Sequence, residues 1–243
     1  MGYGYGSEFH LMRFLGHHRN LLNREIMKQI DHEGDICWID FDFNDGINSI
    51  SGDEEKKGLG FVKELPFVSQ EQYDSMYSEY HEYSIYGLDS WQNWDALFFI
   101  NETLYLVEAK AHVCEFISNQ NTRKSDTEIL RFMSDMLNNR GIIVDNEWLK
   151  QYYQLANRLA TVSLLNKHGI KAKVLYIYFE NGFQRKELDS NDRVKLLEDD
   201  SSTRKEFEEA IDKEISKLGI TYDQVKDIMT KVFINANPKK TVM

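Results

Sequence analysis

The chain has 243 residues, 42% of them hydrophobic and 13% aromatic, which suffices for one large domain with a full core and excludes a disordered chain. Its formal net charge of −11 points away from a protein that coats nucleic acid, because phosphate contacts need lysine and arginine. No run approaches the ~20 apolar residues of a membrane span, and the start lacks a basic segment followed by a hydrophobic one, so the expectation is a soluble, cytoplasmic protein without membrane contact.

After a glycine- and tyrosine-rich start, Ser7 can cap a helix running to about Ile30, with Leu11, Phe14, Leu15, His18, Leu22, Ile26 and Ile30 forming its apolar stripe. Glu8 falls in its first turn, where an acid favours the positive end of the helix dipole. Ile36 to Phe43 alternates as a half-buried strand carrying Cys37, and with only Cys114 besides, the two cysteines are too few for a zinc site and are expected as reduced core thiols. Asp40, Asp42 and Asn44 fail as a calcium loop, because Asp45 stands where glycine is needed and Ser51 where glutamate is needed. A polar tract, Asn44 to Gly60, leads to a short apolar strand before Pro66. The acidic, tyrosine-rich segment Ser69 to Tyr86 reads as a helix with a packing or lid role.

Farther on, Ser125 to Glu128 is a capping box opening a helix to about Arg140, closed by Gly141. Asp145 or Asn146 starts a longer helix, Glu147 to Lys167, in which Trp148, Tyr152, Leu155, Leu159 and Val162 face the core. Gln151, Gln154 and Arg158 lie together on another flank. The run Lys173 to Glu180 fits a strand buried on both faces, and capping boxes at Thr203 and Thr221 open two further helices. Arg140 to Lys173 carries six basic residues against two acidic ones, a local excess of four and a candidate basic patch.

The most informative stretch lies between these parts. Trp94 to Ile100 and Thr103 to Lys110 are two apolar arms separated by Asn101-Glu102. With those two residues as the loop, paired positions sum to 203, which sets Asp95 against Glu108 at a Cβ separation of about 5 Å. Period-two alternation then places Leu97, Phe99, Leu104, Leu106, Glu108 and Lys110 on the face of Asp95. Facing acids repel, and a divalent cation offsets that repulsion: Mg²⁺ takes one or two carboxylates plus water and phosphate oxygens, and Mn²⁺ can substitute. A lysine beside the metal can hold the attacking water and balance charge growing on a phosphate.

These residues resemble the core of the PD-(D/E)xK nuclease superfamily, the restriction-endonuclease-like fold. Asp95 matches its first acid and Glu108-Ala109-Lys110 its (D/E)-x-K element, while Trp94 stands in place of the proline. The tripeptide also starts at Glu54 and Glu55, but only the copy at Glu108 follows an apolar strand. The resemblance implies an α/β domain with a mixed central sheet flanked by helices, spanning 1–243, with the motif core at 94–180, an insertion at 36–90 and a C-terminal helical cover at 200–236. It implies a Mg²⁺-dependent nuclease acting on nucleic acid, DNA foremost. Asp95, Glu108 and the Ala109 carbonyl would be metal ligands, Glu8 an outlying one, and Lys110 a catalytic group. A glutamine on the helix after the hairpin would complete the site, and Gln151 and Gln154 are both candidates. The alternatives are a noncatalytic nuclease-like fold that binds nucleic acid or protein, and an unrelated α/β interaction domain. A homo-oligomer or a protein partner is compatible with all three.

Overall fold

The computed structural model describes residues 6–39, 56–83, 92–118, 126–182, 186–188, 194–196 and 202–237. It is an α/β fold around a mixed five-stranded sheet flanked by helices. The elements in chain order are α1 (Gly6–His17), α2 (Arg19–Met27), β1 (Cys37–Trp38), β2 (Lys56–Lys57), α3 (Gln70–Glu82), β3 (Asn93–Trp94), β4 (Ala96–Ile100) and β5 (Thr103–Lys110). They continue with α4 (Asp126–Leu137), α5 (Tyr153–Lys167), β6 (Ala172–Glu180), β7 (Lys186–Leu188), β8 (Val194–Leu196), α6 (Arg204–Lys217), α7 (Tyr222–Val225) and β9 (Met229–Asn235). The main sheet runs β1-β4-β5-β6-β9; β1, β4 and β5 pair antiparallel, and β5, β6 and β9 are parallel. Helices α1 and α2 cover one face, where Leu11, Phe14, Leu22 and Ile26 meet Phe98, Val107 and Ile177. Helices α3 to α6 cover the other, with Tyr80, Phe132, Leu155, Leu159 and Phe207 packed on Leu97, Leu104, Leu106 and Tyr178.

The hairpin has the expected register, from Ala96 opposite Val107 to Ile100 opposite Thr103. Asn101 makes the turn at φ 52°, a left-handed conformation that asparagine tolerates, and its amide donates to the Glu33 carbonyl at 3.0 Å. The expected long first helix is broken at His18, whose backbone leaves the helical region (φ −134°, ψ 31°). The Arg19 side chain donates to the Leu15 carbonyl at 3.1 Å across the break. The second long helix divides too: a 3₁₀ turn at Asn146–Leu149 precedes α5, because Ser118 from the segment after β5 docks there. Its hydroxyl accepts the Gln154 N–H at 2.9 Å and its carbonyl the Tyr153 N–H at 3.2 Å, so α5 begins on a cap supplied from a distant segment.

Other expectations are corrected. The apolar run before Pro66 is a 3₁₀ turn at Gly60–Glu64, not a strand. The edge strand starting at Ile36 pairs over Cys37–Trp38, with the Ile39 N–H donating to the Leu97 carbonyl at 2.9 Å, and its remainder from residue 40, with Asp40 and Asp42, lies outside the described residues. Ser125 also lies outside them, whereas the Thr203 box is formed, with Glu206 Oε2 accepting the Thr203 N–H at 2.7 Å. The C-terminal segment adds a strand to the sheet, β9, besides its helices. Both cysteines are outside any disulfide and exposed rather than buried, since Cys37 sits on the edge strand and Cys114 on a 3₁₀ turn. No helix among the described residues is long and apolar enough to cross a membrane.

Candidate functional site

Glu108 and Lys110 end β5 on the face covered by α5 and α6, and the parallel register sets Tyr176 beside Glu108 and Tyr178 beside Lys110. In open α/β sheets the crevice at the carboxyl ends of parallel strands is where ligands bind. Glu108 is 2% exposed and Lys110 6%. Lys110 Nζ donates to Glu108 Oε1 at 2.8 Å and to Gln154 Oε1 at 2.6 Å, and Gln154 Nε2 donates to Glu108 Oε1 at 2.7 Å, closing a triangle. Arg158, one helical turn beyond Gln154, places Nε and Nη2 on Glu108 Oε2 at 3.2 and 3.1 Å. Four donors thus fill the four lone-pair directions of the carboxylate.

Burial opposes the charge on Glu108, but Lys110 and Arg158 outweigh it and hold its pKa below the usual range. Burial likewise opposes the Lys110 ammonium, and Glu108, Asp95 and Glu115 outweigh it, so its pKa is raised. Both groups are ionised at neutral pH.

Asp95 reaches the site by a route that simple alternation misses. The ladder stops at Ala96, and the chain bends at Asp95 between β3 and β4. Trp94 consequently joins the core on the Glu108 face, and the Arg158 guanidinium stacks over its ring at 4.3 Å. Asp95 Oδ2 accepts the Ala109 N–H at 2.7 Å. Because the N–H and C=O of one strand residue point to the same edge, the Ala109 carbonyl faces this side as well. Asp95, Ala109, Glu108, Lys110 and Gln154 are therefore brought together.

Gln151 and Glu8 are placed differently. Gln151 precedes the break before α5; its carbonyl accepts the Ser118 N–H at 2.8 Å, and it lines a cleft of about 390 Å³ with Cys114, Ile117 and Lys213. Glu8 is exposed in the first turn of α1, while its neighbour Ser7 hydrogen-bonds Glu115, a carboxylate pushed up in pKa by burial despite Lys110 nearby.

Three acidic or basic partners were not anticipated: Arg158, Glu115 and Glu214. Glu214 of α6 is 5% exposed, and burial pushes its pKa up to about 8, with Lys110 and Glu108 close enough to act on it. Its signal was present in the sequence, since it interrupts the stripe Phe207, Ile211, Ile215, Leu218 at a core position. Of the six basic residues between Arg140 and Lys173, Arg140, Lys150, Arg158, Lys167 and Lys171 each pair with an acid. Among the described residues no three Asp, Glu, His or Cys groups form a ready metal cage. No family model, characterised protein or solved structure matches the chain.

Proposed function

We propose that the chain is a metal-dependent nuclease that hydrolyses phosphodiester bonds, with DNA as the first substrate to test. The observation that carries this reading is the closed triangle of Glu108, Lys110 and Gln154 at the end of β5, with Asp95 on the adjoining amide. The donors fit Mg²⁺ or Mn²⁺: Asp95, Glu108 and the Ala109 carbonyl are hard oxygens, and Mg²⁺ sites draw their remaining ligands from water and substrate phosphate rather than from a protein cage. When bound, the ion supplies Lewis-acid polarisation of the phosphoryl oxygen and a more acidic water. Lys110 orients that water and balances charge building on the phosphate, and Gln154 holds the Lys110 ammonium against Glu108. Calorimetry with Mn²⁺ on the wild type and on Asp95→Ala tests the ligand assignment: binding lost in the variant supports it, and equal heats refute it. Cleavage is read on single-stranded, double-stranded and branched DNA and on RNA, at low ionic strength where charge is least screened.

A second reading, a noncatalytic nuclease-like fold that binds nucleic acid or protein, is favoured by one feature. The lone pairs of Glu108 are all engaged by protein donors, as they would be in a purely structural ion-pair cluster. Absence of Mn²⁺ binding in a folded wild type selects this reading.

A further inference from the structure

Arg158 is the second cation on Glu108, and the chemistry above leaves it without a task. Its two N–H groups on Oε2 are one part of a wider brace: Nη1 donates to Gln92 Oε1 at 3.0 Å, Nη2 donates to the Asn93 carbonyl at 2.6 Å, and the ring of Trp94 lies beneath it. Gln92 is itself fixed by Asn157 at 2.8 Å and by the Thr161 hydroxyl. Arg158 is 6% exposed, and its guanidinium is a planar, delocalised cation whose rigid fork matches a carboxylate. Lys110, by contrast, holds Oε1 through a flexible stem, and the Asp95 and Glu115 carboxylates also attract it.

The two oxygens of Glu108 are therefore unequal. Oε1 is held by two separate side chains, the Lys110 ammonium and the Gln154 amide, whereas both lone-pair directions of Oε2 belong to a single group braced along its edge and on its face. In two-metal sites the ions sit about 3.5–4 Å apart, close enough for one carboxylate to bridge them with its two oxygens. Resting on the metal-site reading, we propose that Arg158 is a positioning residue that limits Glu108 to Oε1 as a metal ligand and stands as a permanent cation where a second ion would bind. The site then takes one divalent ion per chain. A second ion would have to evict a buried guanidinium from its acceptors or approach its charge directly, and both are unfavourable.

The test is Mn²⁺ stoichiometry of the full chain by calorimetry, with electron paramagnetic resonance on the same samples. The wild type is expected to bind one Mn²⁺ with an uncoupled spectrum. Arg158→Lys keeps the charge and is expected to stay at one; Arg158→Gln removes it and is expected to bind two, with the spin coupling of a close pair. Two ions in the wild type, two in Arg158→Lys, or one in a folded Arg158→Gln overturns the proposal. Should Arg158→Gln fail to fold by circular dichroism, the wild type and Arg158→Lys decide. No ion in a folded wild type removes the metal-site reading and this inference with it, a result distinct from two ions, which leaves the metal site standing.

Discussion

Replacing Arg158 by leucine tests how the buried charges are held together. The change removes the fork from Glu108 Oε2, the donors to Gln92 and Asn93 and the stack on Trp94. Breaking a buried ion pair costs about 3–5 kcal/mol. An acceptor left without its donor adds about 1–3 kcal/mol, and the cation–π contact is worth roughly 0.5–2 kcal/mol. These contributions share one side chain and do not add fully, so the expected loss is about 5 kcal/mol. That is a large part of the roughly 5–15 kcal/mol that stabilises a typical domain. Urea unfolding followed by circular dichroism measures it by linear extrapolation. Glu108→Gln in the Arg158→Leu background removes the carboxylate whose Oε2 has lost its donors and should restore about 2 kcal/mol or more, while Lys110 keeps the carboxylates of Asp95 and Glu115 nearby. A loss below about 1.5 kcal/mol for the single variant, or strict additivity in the double-mutant cycle, would refute the reasoning.

Lys110→Ala should keep much of the Mn²⁺ binding but lower cleavage by about 10²-fold or more; equal cleavage would show that its charge does not act in the transition state. Gln154→Ala should loosen Lys110 and lower cleavage, whereas Gln151→Ala, outside the triangle, should leave the cleavage rate within about two-fold on the same substrates. Glu214→Gln should change the pH dependence of stability. The Glu214 pKa, pushed by burial from 4.5 to about 8, makes the folded state hold a proton that the unfolded state has lost between those values. Wild-type stability therefore falls through this window by up to ~1.4 kcal/mol per pH unit, with no contribution below it, and the glutamine variant should flatten that slope in unfolding curves taken from pH 5 to pH 9.

How far the sequence announced this structure depends on the range of the interactions involved. The hairpin register was legible because a two-residue loop fixes the pairing sum, and the face of Leu97, Leu104, Leu106, Glu108 and Lys110 followed from alternation. Asp95 escaped that rule because the bend that brings Trp94 beneath Arg158 is imposed by packing on α5. The phase of Gln151 relative to Gln154 was illegible for a similar reason: the cap that starts α5 comes from Ser118, more than thirty residues earlier. Arg158 was placed on the flank of Gln151 and Gln154 but not paired, because charge at an i+4 spacing does not reveal the acid across the interface. Strand β9 was passed over although Met229, Val232, Phe233 and Ile234 are buried, since Lys231 interrupts the apolar run and the preceding capping box favoured helix. Glu214, an acid inside an apolar stripe, was legible in principle and marks what such an interruption signifies.

The unequal sides of Glu108 also separate the two functional readings without an activity assay. In a cluster kept for stability alone, every donor on the carboxylate contributes to the fold, and removing Gln154 should cost stability of the same order as other buried hydrogen-bond losses to a charged group, about 1.5–3 kcal/mol. In a site kept for chemistry, the Oε1 side must release its donors when a ligand arrives, so it is held less firmly than the braced Oε2 side. Gln154→Ala should then cost well under 1 kcal/mol while Arg158→Leu costs several. The two sides are built differently: Arg158 is cross-braced by Gln92, the Asn93 carbonyl and Trp94, whereas Lys110 and Gln154 hold mainly each other and Oε1. On the proposed metal-site reading, the braced Arg158 side fixes where the carboxylate sits, and Oε1 is the oxygen that a hard cation would claim.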